Sequence, residues 1–203
     1  MDFIWGNYST DKINGHGYEL IFNKYLDRKK QTIVEFGCRV GSAKMWCDYF
    51  YNADVYGCDI VPFNLSHDRF KFLKFDMYKN SEYNKLPNNI DVIIEDGPHT
   101  SKSQMVMLDN CINKMNKNGI ILFEDLHCTD EIEEPKFNKF KGDADITLNE
   151  MLREWKQGIF NDYKYIKGSK YKNKNFRITI TNGEKIRWDF QTKPSEVIIL
   201  EIV

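Results

Sequence analysis

Five short apolar runs, four of them followed directly by a glycine or an acid, constrain this chain more than any other feature. They are "TIVEF" (32–36), "DVYGCDI" (54–60), "FKFLKF" (70–75), "DVIIE" (91–95) and "GIILFE" (119–124). Segments of helical period separate several of them: "SAKMWCDYFYN" (42–52) and "TSKSQMVMLDNCINKMN" (100–116). The second places Met105, Leu108 and Ile112 on one face, and Asn118-Gly119 reads as its stop signal. Strands alternating with helices fold into a parallel sheet covered on both faces. Ahead of the first strand, residues 1–30 read as a loop and a helix cap, with "YELIFNKYL" presenting Leu20, Ile21, Tyr25 and Leu26 on one side.

The tail breaks the alternation. A helix over "ITLNEMLREW" (146–155) precedes "FRITITNG" (176–183), "KIRWDF" (185–190) and "EVIILEIV" (196–203), strands with no helices between them. The sheet is therefore expected to end antiparallel. Between the fifth strand and that helix, the charged stretch 128–145 is long enough for an active-site loop. A length of 203 residues fits one domain, 1–203.

Charge and cysteine content narrow the function classes. Lys and Arg number 29 against 30 Asp and Glu, a formal charge of −1, so nothing argues for electrostatic binding of nucleic acid. No stretch approaches the roughly 18 apolar residues of a membrane span. "MDFIWGNYSTDK" lacks the basic start and apolar run of a secretion signal. Cys38, Cys47, Cys58, Cys111 and Cys128 are odd in number and form no C-x-x-C pair, which suits reduced thiols. A cytoplasmic location is the expectation.

Sheets of this kind bind ligands outside the carboxyl ends of their strands. After the first strand, "VEFGCRVGSA" supplies Glu35, Gly37, Gly41 and Ser42. Gly37 suits a tight turn with close backbone approach, and Gly41 opens the next helix. Asp59 lies 22 residues beyond Gly37, a distance at which an acid can accept from ribose hydroxyls, and Asp76 follows the third strand. Arg39 stands where a dinucleotide turn would carry another glycine, which disfavours a diphosphate. S-adenosylmethionine (SAM), a nucleoside with a cationic end, fits a pocket walled by acids. A structural turn and solvated strand-end carboxylates are the alternatives.

Two strands end in paired carboxylates, Glu95-Asp96 and Glu124-Asp125. Bringing such ends together is costly unless a cation neutralises them or protons stay on. Asp96, Glu124 and Asp125 could offer oxygen ligands to Mg²⁺, with Mn²⁺ as the alternative. Strand alternation turns Glu95 away from Asp96. The competing reading has Asp125 capping the next helix and Glu124 paired with a lysine. His99, three residues after Asp96, suits a general base for an alcohol whose oxygen a Lewis acid activates. His127 is a second candidate, and His16 in "GHGY" reads equally as a loop or capping residue.

The segments "TIVEFGCRVGSAKMWCDYF", "ADVYGCDI", "DVIIEDGPHTSKSQ" and "NGIILFEDLH" resemble the class I SAM-dependent methyltransferases. Within them the resemblance is to the metal-dependent macrolide-sugar (mycinamicin 2''-type) and rhamnosyl O-methyltransferases, and it covers about residues 8–127. "YSTDKINGHGYELIFNKYL" matches the same group. The resemblance implies a Rossmann-like α/β fold: a mostly parallel seven-stranded sheet with an antiparallel C-terminal strand and helices on both faces. It also implies that Asp96 and the Glu124-Asp125 pair hold the metal, that His99 is the base, and that Thr10 and Lys12 lie near the cofactor.

The expected activity is SAM- and metal-dependent methylation of a sugar hydroxyl, the acceptor being a deoxyhexose-like glycan or glycoside. Oxygen is the expected acceptor atom because it suits a hard metal. A catechol or other phenol is the alternative acceptor, and Trp5, Trp155 and Phe137 leave a ring-stacking pocket open. A third reading, encouraged by Arg39, is a non-catalytic scaffold or partner of a glycosyltransferase. Homo-oligomerisation is compatible with any of these.

Overall fold

The computed structural model describes residues 3–6, 8–126, 142–183 and 196–203. The expectations for His127, Phe137, residues 128–141 and the strand 185–190 lie outside the described residues. A seven-stranded sheet is built from β1 (Thr32–Phe36), β2 (Asp54–Asp59), β3 (Phe70–Lys74), β4 (Ile90–Glu95), β5 (Met115–Phe123), β8 (Phe176–Asn182) and β9 (Glu196–Ile202). Their order across the sheet is β3-β2-β1-β4-β5-β9-β8. Strands β1 to β5 pair in parallel, β9 runs antiparallel to β5, and β8 runs antiparallel to β9. A separate two-stranded ribbon, β6 (Asp162–Tyr163) with β7 (Ile166–Lys167), has no counterpart in the sequence expectations.

Alternation along the central strands fills both faces. On one face Val34, Ile93, Ile121, Phe123, Ile198 and Leu200 pack with Met105, Leu108 and Ile112 of α4 (Ser101–Cys111) and its end, and with Leu152 and Trp155 of α5 (Leu148–Lys156). On the other, Ile33, Val92, Ile94, Ile120, Leu122 and Ile199 pack against α2 (Glu19–Tyr25) and α3 (Val40–Tyr49). A strand buried on both faces must be apolar at successive positions, which is why these runs carry so little polar alternation.

Two expectations need correction. In α2, Leu20 is 60% exposed, while Phe22 is fully buried with Tyr18, Ile21 and Leu26. The buried stripe is thus 18, 21, 22 and 26, a second set of helical spacings that a seven-residue helix equally allows. The helix after β4 ends at Cys111 and not at Asn118. Met115 already pairs with Ile90, and the register shifts before Ile120 meets Val92. Asn118, at φ 59°, therefore sits in an irregular stretch of β5 and is not a helix stop.

Candidate functional site

The strand order reverses direction between β1 and β4, and the crevice there is where ligands enter such sheets. Gly37 leaves β1 at φ 76°, and a Cβ on it would lie 1.7 Å from the Asp96 carbonyl oxygen. Only glycine permits this approach of the turns after β1 and β4. Arg39 caps α3 with its side chain 63% exposed and its Nε 3.6 Å from Asp59 Oδ2, outside the contact between the two turns.

A cavity of about 640 Å³ opens over the ends of β1, β2, β3 and β4, lined among others by Gly37, Asp59, Ile60, Asp76, Tyr78 and Asp96. Its volume lies in the range of small-molecule sites. Asp59 Oδ1 accepts from the Val61 amide at 2.7 Å, and Asp76 Oδ1 accepts from the Tyr78 amide at 3.0 Å. That backbone bond, with Lys79 nearby and against slight burial, holds the Asp76 carboxyl below its ordinary pKa. An adjoining cavity of about 530 Å³ shares Gly37, Arg39 and Asp96 and adds Thr10 and Ser42. Thr10 also caps the short helix α1 (Asp11–Asn14). Gly41 backs onto the N-terminal segment, where a Cβ would lie 1.9 Å from the Ser9 carbonyl oxygen.

Glu35 and Lys12, expected at the cofactor, are buried behind these cavities. Glu35 Oε2 accepts from the Ser42 hydroxyl at 2.7 Å, and its Oε1 lies 3.3 Å from Lys12 Nζ. The Lys12 ammonium also reaches Asp96 Oδ2 at 2.6 Å and Glu124 Oε2 at 2.5 Å, with its side chain 1% exposed. Burial alone would lower its pKa, but Asp96, Glu124 and Glu35 hold it well above the ordinary value. Glu124 thus has a lysine partner at Oε2, while its Oε1 is buried without a hydrogen-bond partner.

Asp125 faces the other way. Its Oδ1 accepts from the Tyr18 hydroxyl at 2.6 Å, and its Oδ2 is 3.5 Å from His16 Nε2. His16 stacks on Tyr18 with ring centroids 5.0 Å apart, across Gly17 at φ 66°. Tyr18 is a site residue that the sequence reading assigned only to a helix; its clue was its place beside His16 in "GHGY". His99 Nε2 stands 3.7 Å from Asp96 Oδ1 and 3.9 Å from Asp125 Oδ2. His99 and Asp125 both have φ 54°, a left-handed conformation costly to side-chain-bearing residues and concentrated at functional sites. Glu95 is fully buried on the far side, where its carboxylate accepts from Gln104 Nε2 at 2.8 Å.

These groups fit a divalent cation. Asp96 and Asp125 can offer it carboxylate oxygens, and His99 brings a ring nitrogen within 4.8 Å of both, the one such group among the described residues. Two buried polar atoms beside them, Glu124 Oε1 and His99 Nδ1, have no hydrogen-bond partner. Burial and the neighbouring acids raise the Asp96 and Glu124 carboxyls, against the pull of Lys12, so added positive charge would be favourable here.

No protein-family model matches the chain. It is 29% identical over 121 residues to the 8-demethyl-8-alpha-L-rhamnosyl tetracenomycin-C 2'-O-methyltransferase of Streptomyces olivaceus, a match covering 54% of this chain and 32% of that enzyme. The chain thus spans about a third of that relative's length. Among solved structures, MycE methyltransferase from the mycinamycin biosynthetic pathway, in complex with Mg, SAH and mycinamycin VI, superposes with a TM-score of 0.62 at 16% identity, covering 98% of this chain and 50% of MycE. Fibrillarin of Methanococcus jannaschii, a pre-rRNA processing protein, gives 0.54 at 16% identity over 86% of this chain and 66% of its own. The chain has the Rossmann-like fold of the class I SAM-dependent methyltransferases, and its sequence resembles a rhamnosyl O-methyltransferase.

Proposed function

We propose that this chain is a SAM-dependent O-methyltransferase that methylates a sugar hydroxyl with the help of a divalent cation, Mg²⁺ or Mn²⁺. The observation that carries the reading is the Asp96–His99–Asp125 cluster, set at the edge of a cavity that Asp96 itself lines. The likeness to a rhamnosyl methyltransferase favours a deoxyhexose-like acceptor over a phenol or an RNA. Fibrillarin shares the fold alone.

SAM supplies an electrophilic methyl group. Asp59 and Asp76, which line the larger cavity, would accept from its nucleoside end, and the Gly37 turn in the same lining would lie against it. Asp96, Glu124 and Asp125 would hold the cation, which would supply Lewis acidity toward an acceptor oxygen. His99 Nε2, between those two carboxylates, receives the proton of the attacking hydroxyl. Tyr18 and His16 keep Asp125 oriented, and Lys12 fixes the far oxygen of Asp96. This rigid placement matters because an oxygen misaligned with the donor carbon does not react.

Mass-spectrometric methyl transfer to a rhamnoside, alongside calorimetric SAM binding, tests the assignment. His99→Gln should lower kcat by about 10²–10⁴-fold while SAM still binds. Full transfer by His99→Gln, or transfer only to a catechol, would refute it.

A further inference from the structure

Arg39 stands where a dinucleotide turn would carry another glycine, and the mechanism gives it no task. Its backbone does not need glycine. At φ −123° and ψ 167° it is extended, and it closes the turn from β1 as the N-cap of α3. That position puts it in the lining of both cavities over the strand ends. Among the described residues of that lining, Asp11, Asp59, Asp76 and Asp96 are acids, and Arg39 is the only Lys or Arg. Lys12 lies buried behind them, already shared by Glu35, Asp96 and Glu124. The Arg39 guanidinium meets Asp59 Oδ2 through Nε, and neither of its Nη groups has a partner among the described contacts.

SAM would bring three charges to this lining. Its sulfonium and ammonium are positive and suit the acids, but its carboxylate is negative and costly to place among four of them. That group needs a cation, and a guanidinium offers a carboxylate two parallel N–H donors. We propose that Arg39 binds the carboxylate at the amino-acid end of the donor through its Nη groups while Nε stays on Asp59. One side chain then ties that end of the donor to the acid read as the ribose partner, and the site selects a nucleoside that carries a carboxylate. This rests on the SAM reading above. It also turns the residue that encouraged a non-catalytic scaffold into a donor contact.

Titration calorimetry with two probes tests this: S-adenosylhomocysteine (SAH), and S-(5'-adenosyl)-3-thiopropylamine, which is SAH without its carboxylate. Wild type should bind SAH at least about tenfold more tightly than the amine. Arg39→Gln should lower SAH affinity at least about tenfold, as expected for a lost hydrogen bond between charged groups, and should bind the amine no more weakly than wild type does. Arg39→Lys keeps the charge without the fork and should recover part of the SAH affinity. Lys44→Gln removes an exposed charge from the same helix and should stay within about threefold of wild type for SAH, which separates direct contact from a diffuse field. Matching melting temperatures establish that the variants fold, and the wild-type preference between the two probes needs no variant at all. Equal losses of both probes in Arg39→Gln would assign Arg39 to the nucleoside end through Asp59 and overturn the inference. So would unchanged SAH binding by Arg39→Gln, a Lys44→Gln as weak as Arg39→Gln, or a wild type that binds the two probes equally. Binding of neither probe by wild type would overturn the donor reading itself, and this inference with it.

Discussion

Replacing Gly37 by alanine should damage both fold and site, and the damage can be worked from the geometry. The new methyl would lie 1.7 Å from the Asp96 carbonyl oxygen and 3.0 Å from Gly97 Cα, where ordinary contact begins at 3.4 Å. The turn after β4 would have to retreat by about 1.7 Å to restore ordinary contact, or the turn after β1 would have to change conformation. Holding alanine at φ 76° costs about 1–2 kcal/mol. Overpacking against backbone adds about 1–3 kcal/mol. Retreat also strains the Asp96 amide bond to the Phe36 carbonyl, 3.0 Å long, which ties the two strand ends together. Urea denaturation should show a loss of about 3–5 kcal/mol with an unchanged m-value. Calorimetry on the folded fraction should show SAM affinity reduced at least tenfold, because Asp96 moves with the turn. Gly41→Ala is the contrast: its methyl would meet the Ser9 carbonyl oxygen at 1.9 Å, but its φ is not positive. It should displace the N-terminal segment while sparing the sheet. A Gly37→Ala protein within about 1 kcal/mol of wild type, binding SAM equally well, would refute the reasoning.

Tyr18→Phe removes the donor to Asp125 Oδ1 and should cost about 1–3 kcal/mol in chemical denaturation, with cation binding weakened as Asp125 loses its orientation. A pH series on metal-free protein should reveal the Asp96 carboxyl, which burial raises from 3.8 to about 7 against the attraction of Lys12 and His99. The folded state then holds a proton that the unfolded chain has already released, so this group's stabilisation is full below pH about 4 and is lost as pH rises toward 7. The wild-type minus Asp96→Asn difference in stability should fall across that window, and a flat difference would contradict the assignment.

The sheet was legible because strands buried on both faces leave continuous apolar runs, as in "DVIIE" and "GIILF", and each run is followed by a residue that ends it. The Gly37 turn and the acids Asp59, Asp76 and Asp96 were legible because this topology gathers strand ends in one crevice. Short helices carried less information. Over seven residues, the stripe through Leu20 and the stripe through Phe22 both satisfy helical spacing, and tertiary contact decides between them. The pairing of the lysine with the acids left no local signal. Lys12 lies 84 residues from Asp96 and 112 from Glu124, and the resemblance placed it near the cofactor without assigning it a carboxylate partner. The left-handed backbone at His99 and Asp125 was equally hidden, since neither is the glycine that usually marks that conformation.

Methyl transfer to a rhamnoside by protein stripped with chelator and then reconstituted with Mg²⁺ tests the central claim most directly. One methyl group, about 14 Da, should be added to the acceptor only after reconstitution, with SAM binding present throughout. Full transfer by the stripped protein in excess chelator would contradict it.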